Sequence, residues 1–172
     1  PTIVAAGPNS ALPHAAPSDR PIQPGDLVVL DFGGVLDGYC LDLTRMAAAG
    51  PLSSAAKSLF DGVLAAQAAA VDVVGPGVAT SEIDRAARDV LHSRGLGEAF
   101  SHSTGHGLGL EVHEAPKLGK ALKICNPLIS STRVMRMATR PAHPIRFWMS
   151  WALTAMPTAA RAKPTWKPHV TC

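Results

Sequence analysis

Residues 23–50 read QPGDLVVLDFGGVLDGYCLDLTRMAAAG, and this stretch decides the fold prediction. Its Pro-Gly pair marks a turn, and the apolar run from Leu27 to Phe32 that follows is typical of a buried strand. A second strand-like segment begins at residue 35, and Asp37-Gly38 stands at its start as a turn signal. The stretch therefore predicts an antiparallel β-hairpin.

Two aspartates in this hairpin, Asp31 and Asp42, are symmetric about the point between Leu36 and Asp37. If the chain turns there, through a loop of two or four residues, the two side chains face each other with Cβ atoms about 4.5–5.5 Å apart. Carboxylates so close repel each other, and a divalent cation (Mn, Mg, Co or Zn) between them removes that cost. A turn at Asp37-Gly38 would instead shift the register and break the direct pairing, so the hairpin alone leaves both arrangements open.

A second stretch, GHGLGLEVHEAP at residues 105–116, holds His106 and His113 seven residues apart. Because that separation is odd, an unbroken strand would point the two side chains to opposite faces. The glycines at positions 105, 107 and 109 let the backbone bend, so both imidazoles could reach one cavity. The alternative is a pair of hydrogen-bonded histidines without a ligand, and the flanking glycines and the hairpin aspartates favour the functional interpretation.

Two helices are predicted between these stretches. Residues 53–74 have apolar side chains at helical spacing, and Gly75-Pro76-Gly77 ends the run. Residues 80–95 form the second helix, with Ser81 as the predicted N-cap and Gly95 as the stop. The predicted apolar stripes are Leu59, Val63, Ala66, Ala70 and Val73 in the first helix and Ile83, Ala86, Ala87, Val90 and Leu91 in the second. Together with the hairpin, they predict an α+β fold.

Length and composition are those of one soluble domain. The chain has 172 residues, of which 47% are hydrophobic, and this is enough for one sizeable core. Its three cysteines are odd in number and far apart, and no signal peptide or membrane span is visible, so we expect a cytoplasmic protein with no membrane partner. The first residue is not Met, and on this ground we expect a fragment whose upstream part is missing.

Charge divides the chain near residue 120. Residues 1–120 carry 8 Lys and Arg against 13 Asp and Glu, a net charge of −5, whereas residues 121–172 carry 8 Lys and Arg and no acid, a net charge of +8. Neither helical nor strand periodicity is sustained in the second part. We therefore predict an incomplete catalytic domain over residues 1–120 and a basic, unpatterned tail over residues 121–172, a tail that fits out-of-frame translation or a gene rearrangement.

Two separated motifs carry a family resemblance. Residues 7–45, GPNSALPHAAPSDRPIQPGDLVVLDFGGVLDGYCLDLTR, and residues 100–116, FSHSTGHGLGLEVHEAP, resemble the pita-bread metallopeptidases, closest to the Xaa-Pro aminopeptidase and Xaa-Pro dipeptidase (prolidase) branch. The resemblance implies a pita-bread fold, here without its C-terminal strands. It also implies two divalent metal ions (Mn, Co or Zn) that activate water to hydrolyse the bond before proline. The implied partner is a peptide with proline in second position, and homo-oligomers are possible.

The resemblance also assigns roles to individual residues. The family's metal ligands match Asp31, Asp42 and His106. His113 matches the histidine that contacts the substrate and steadies the tetrahedral intermediate. His14 matches a histidine at the mouth of the site that helps to hold substrate, and His102 matches another histidine of the substrate pocket.

The family pattern requires two further ligands, both glutamates located downstream of the second histidine motif. This sequence has no Asp or Glu after Glu114, and Glu111 and Glu114 belong to the histidine motif itself. One of the two glutamates also serves as the family's general acid and base. With three ligands of five, we predict at most one weakly bound metal ion and an impaired peptidase.

Two functions of other classes stay open. Some members of the family that the chain resembles are non-catalytic modules that bind peptides or proteins, and this chain could be one of them. Nucleic-acid binding through the basic tail is the other, although prolines and widely spaced charges in the tail argue against it.

Overall fold

The computed structural model describes residues 2–75 and 77–120, so the predictions for the tail at residues 121–172 lie outside the described residues. Within the described residues, five strands and two α-helices follow one another. They are β1 (Ile3–Ala6), β2 (Leu27–Leu36), β3 (Tyr39–Ala48), α1 (Ser54–Val73), α2 (Thr80–Ser93), β4 (Gly105–Gly107) and β5 (Glu114–Leu118), with short 3-10 turns at Gly7–Ala11 and Gly97–Ala99.

The predicted hairpin is the centre of an antiparallel three-stranded sheet of order β1-β2-β3. The tight turn between β2 and β3 uses Asp37 and Gly38, which have φ angles of 51° and 84°. Positive φ at both central residues matches the right-handed twist of the strands that they join. The hairpin therefore turns at Asp37-Gly38, and the turn centred between Leu36 and Asp37 is wrong.

Both predicted helices are present, with two corrections. Helix α1 begins after Ser53, whose hydroxyl accepts a hydrogen bond from the Ala56 amide at 3.1 Å. The N-cap of helix α2 lies two residues earlier than expected: it is Ala79, which makes no side-chain cap hydrogen bond, and Ser81 lies inside the first turn. Val73 is 36% exposed at the end of α1, so the apolar stripe of this helix ends before it.

Small side chains let the two helices pack closely. Ala66 and Ala70 of α1 are fully buried against the stripe of α2, and Phe100 closes one end of this core. The buried residues of α2 in the cluster are Ile83, Ala87 and Leu91. Alanine has almost no side-chain entropy to lose on burial, so an alanine-rich interface gains dispersion contacts at low entropic cost.

The second sheet pairs β4 with β5, and the chain between them reaches back to the hairpin. The Cys40 amide donates a hydrogen bond to the Gly109 carbonyl at 2.7 Å, and the Cys40 thiol donates to the Leu110 carbonyl at 3.5 Å. The described helices include none that is long and apolar enough to cross a membrane.

Candidate active site

One cavity of about 1170 Å³ collects residues from several separate parts of the chain. The segment after the first 3-10 turn, the β2–β3 hairpin, the chain around β4 and the start of β5 all contribute to its wall. Every site residue predicted from the sequence lines it: His14, Asp31, Asp42, His102, His106 and His113.

The two aspartates share a face of the hairpin but are not directly opposed. Asp31 pairs with Thr44 and Asp42 pairs with Gly33, so the predicted direct pairing of the aspartates is wrong. The register moves the partner of Asp31 by two residues, and a shift of two keeps Asp42 on the same face because side chains alternate with period 2. The carboxylates are therefore diagonal neighbours, close enough to influence each other.

Each aspartate has a different environment. The Thr44 hydroxyl donates a hydrogen bond to Asp31 Oδ1 at 2.9 Å, and this orients that carboxylate. Burial raises the pKa of the Asp42 carboxyl, the negative charge of Asp31 raises it further, and His106 and His113 act in the opposite direction. Without a cation, two neighbouring carboxylates in a partly buried wall favour protonation of one of them.

His106 faces Asp42 from the other sheet. Its Nε2 lies 3.7 Å from Asp42 Oδ2, while its Nδ1 lies 2.9 Å from the Gly107 carbonyl. A carbonyl only accepts hydrogen bonds, so Nδ1 carries a proton, and in the neutral form of the ring Nε2 is then the lone-pair atom on the side of the carboxylate. In that form, two acceptors face each other, and a cation between them would remove the repulsion.

Three other histidines complete the wall. The ring of His113 lies beside that of His106, with centroids 4.3 Å apart, although the residues are seven apart in sequence. A register irregularity between His106 and Gly107 makes this possible, because Gly107 pairs with Glu114. The His102 ring packs edge-on against Phe100 at 4.7 Å, and His14, which is exposed, also lines the cavity.

The chemical type of the side chains in the cavity suits a metal ion, but their spacing does not form a ready-made metal site. Among residues 2–75 and 77–120, no three His, Cys, Asp or Glu side chains are grouped closely enough to hold an ion as they stand. Two carboxylates and an imidazole with a free Nε2 lone pair are nevertheless the ligands that Mn, Co or Zn take in proteins. In chemical type, the residues fit a divalent cation.

The buried polar network that contacts the segment before His106 was not predicted from the sequence. Asp84 and Arg88 of α2 form a buried ion pair, with Arg88 Nε 2.7 Å from Asp84 Oδ2. The Thr104 hydroxyl donates to Asp84 Oδ1 at 2.6 Å, two residues before His106. The available signal was an Asp and an Arg four residues apart on a helix, a spacing that on most helices marks an exposed pair.

Comparison with known proteins decides the family. The protein-family sequence model described as "Metallopeptidase family M24" matches residues 1–138 of the chain. This protein belongs to metallopeptidase family M24. The chain is 49% identical over 116 residues to the "Uncharacterized peptidase YqhT" of Bacillus subtilis. The match covers 67% of this chain and 33% of that protein. The chain is also 44% identical over 119 residues to an "Xaa-Pro dipeptidase" of Pyrococcus horikoshii, and this match covers 69% of this chain and 34% of that protein.

Solved structures agree with the fold. An X-Pro aminopeptidase from Thermotoga maritima superposes on the M24 chain with a TM-score of 0.66 and 43% identity, covering 70% of this chain and 34% of that one. The fold is therefore the predicted α+β pita-bread fold in partial form, and the chain spans about a third of the length of the relatives that it matches.

Proposed function

We propose that this chain carries part of the active site of a metal-dependent exopeptidase that hydrolyses the bond before proline. Support comes from relatives named Xaa-Pro dipeptidase and X-Pro aminopeptidase. The observation that carries the proposal is the single cavity that brings together two aspartates and four histidines from distant parts of the chain. Such a convergence of ionisable groups in one cleft is the usual mark of a catalytic site.

In this proposal, a divalent ion is held by Asp31, Asp42 and His106. The raised pKa of Asp42 and the free lone pair on Nε2 of His106 favour this, because a cation between them would offset both the carboxylate repulsion and the burial of charge. When bound, such an ion polarises a carbonyl and lowers the pKa of water. Mn, Co and Zn all suit these donors.

Neighbouring histidines would handle the peptide. His113 lies against His106 and is exposed to the cavity, so its imidazole can donate a hydrogen bond to the scissile carbonyl oxygen. His14 is exposed, so it can contact one end of a short peptide, whereas His102 is half-buried. Phe32, Leu41 and Val112 supply an apolar wall, which suits a proline ring that has no amide proton to donate.

The proposal includes a weakness of the present polypeptide. Residues 115–172 contain no Asp or Glu, so neither of the family's two glutamates has a counterpart here. We propose one weakly held ion in place of two, and slow hydrolysis or none. A non-catalytic module that binds peptides in the same cavity is the second candidate, because the cavity lining would persist without the proton shuttle.

Metal titration followed by peptide hydrolysis tests the proposal. Calorimetry with Mn²⁺ or Co²⁺ should give about one ion per chain, and Asp42→Ala should abolish binding. Asp61→Ala is the matched control, because Asp61 is an exposed helix residue paired with Lys57. Hydrolysis of an Xaa-Pro dipeptide that Asp42→Ala removes supports the peptidase. Peptide binding without hydrolysis at any metal concentration supports the module, and metal binding that survives in Asp42→Ala contradicts the site.

A further inference from the structure

Among the described residues, the buried ion pair between Asp84 and Arg88 makes its hydrogen bonds outside its own helix to one segment, residues 100–104. The side chains of Asp84 and Arg88 are 2% and 13% exposed. Charges so buried are costly unless every donor and acceptor is satisfied. Arg88 Nη2 adds a second contact to Asp84 Oδ1 at 3.2 Å, so the pairing within the helix is bidentate.

The partners outside the helix are the residues just before His106. Arg88 Nη1 donates to the Phe100 carbonyl at 2.8 Å, and Nη2 donates to the His102 carbonyl at 2.6 Å. Asp84 Oδ1 accepts from the Thr104 hydroxyl at 2.6 Å and from its amide at 3.2 Å. Alternate residues 100, 102 and 104 are therefore each held by the same ion pair.

Ring packing extends the same connection to the His102 side chain. The Arg88 guanidinium lies over the Phe100 ring, 4.4 Å from its centroid, and Phe100 contacts the His102 ring edge-on. Thr104 is fully buried, and its amide also donates to the Leu118 carbonyl at 2.8 Å in β5. Gly105 and His106 follow directly, so a displacement of Thr104 is passed to the imidazole that faces Asp42.

We propose that Asp84, Arg88 and Thr104 are positioning residues that set the orientation of His102 and His106 at the cavity. A buried ion pair adds little stability over apolar residues of the same size, so its use here is geometric. A guanidinium supplies five donors in a fixed plane, and this one holds a carboxylate and two carbonyls together. The inference deepens the proposed metal site and rests on it only for the affinity measurement.

Three substitutions separate positioning from packing. Thr104→Val removes the hydroxyl at nearly constant volume, and Thr104→Ser retains the hydroxyl as the matched control. Arg88→Lys keeps the charge but loses the planar fork that reaches both carbonyls. The first measurement is the imidazole ¹H–¹⁵N spectrum of the metal-free protein, with His92, outside the cavity on α2, as the internal reference. The second measurement is Co²⁺ affinity.

Positioning predicts that Thr104→Val and Arg88→Lys shift the His102 and His106 ring signals, leave His92 unchanged and weaken Co²⁺ binding by about tenfold or more. Thr104→Ser should resemble the wild type. Unchanged His102 and His106 ring signals in a folded Thr104→Val protein overturn the inference. In the event that Arg88→Lys does not fold, Thr104→Val alone tests the positioning role. A wild type that binds no Co²⁺ contradicts the proposed metal site, while the ring signals still decide the positioning role.

Discussion

Gly33 lies directly opposite Asp42 in the ladder between β2 and β3, and a Cβ atom at position 33 would collide with the Leu41 carbonyl oxygen. The close approach of the two backbones at this point positions the Asp42 side chain on the cavity face. Glycine is required there by space, because its φ angle is not in the left-handed region.

Gly33→Ala should push the strands apart beside Asp42. We expect a loss of about 1–3 kcal/mol in the free energy of unfolding, as for other overpacked sites, together with weaker metal binding. Gly34→Ala is the matched control, because its Cβ would meet nothing within 4 Å. Urea denaturation of both variants measures the difference, and equal stabilities would contradict the close-packed register.

The start of helix α2 offers a stabilising change. Ala79 is the N-cap at φ −71° and ψ 141°, an extended conformation that a serine cap adopts without strain. Ala79→Ser should raise the free energy of unfolding by about 1 kcal/mol, because its hydroxyl can accept from an amide of the first turn, which no side chain caps at present. Ser53→Ala on α1 should lower the free energy by a similar amount. Thermal melts of the two variants should therefore shift in opposite directions.

Thr80 is a separate source of instability in the same turn. Its hydroxyl is buried and has no hydrogen-bond partner among the described residues. Thr80→Val keeps the shape and removes the unpaired group, so we expect the free energy of unfolding to rise by about 1 kcal/mol. Thr44→Val is the contrasting control, because the Thr44 hydroxyl donates to Asp31 and its loss should destabilise. Destabilisation of both variants alike would show that Thr80 is hydrogen-bonded in solution.

The carboxylates of the cavity predict how stability depends on pH and metal. Burial and the charge of Asp31 raise the folded-state pKa of Asp42 above 3.8, so the folded state binds this proton more tightly than the unfolded state. The stabilising contribution of the proton is complete below 3.8 and is lost as pH rises through the folded pKa. Asp42→Asn should therefore stabilise the metal-free protein at pH 7 relative to the wild type.

Metal should reverse that order. A bound cation stabilises only the folded state that holds it, so added Co²⁺ should raise the melting temperature of the wild type and leave Asp42→Asn unchanged. Asp61→Asn, on the exposed face of α1, should respond to Co²⁺ as the wild type does. If Asp42→Asn gained stability from Co²⁺ equally, the ion would be bound elsewhere.

Asp26 should show the opposite dependence on pH. Two hydrogen bonds from the Arg20 guanidinium, at 2.8 and 2.9 Å, and one from the Gln23 amide lower the pKa of Asp26 below 3.8. Its contribution to stability is complete above 3.8 and is lost as pH falls through the lowered pKa. Asp26→Asn should be less stable than the wild type at pH 7, with the gap narrowing at low pH. Thermal melts of both proteins between pH 7 and low pH measure how this stability difference changes with pH.

The hairpin shows what sequence could and could not predict. The Asp37-Gly38 signal and the two apolar runs were enough to predict its existence, but two turn positions were compatible with its aspartates. The structure uses the position that separates Asp31 from Asp42 along the ladder, and both stay on one face because the two registers differ by an even number of residues. The shared face was therefore predictable, and the direct contact was not.

The histidines and the buried ion pair depend on contacts between distant segments. An odd separation placed His106 and His113 on opposite faces unless the strand was interrupted, and the interruption lies in the pairing of β4 with β5. Asp84 and Arg88 have the spacing of a surface pair, and their burial follows from the packing of α2 against the chain at Phe100. The glycines at 105, 107 and 109 indicated that the chain could bend between the two histidines, whereas no local pattern indicated the burial of the ion pair.

The hydrogen bond from the Cys40 amide to the Gly109 carbonyl also bears on how the cavity forms in time. Its two ends lie some 70 residues apart, with both helices in the chain between them, so closing this contact restricts a long loop. The hairpin and the helices can form from local contacts well before that closure. The aspartates and the histidines should therefore come together late in folding, so a chaperone or protease would meet the hairpin before the cavity has formed.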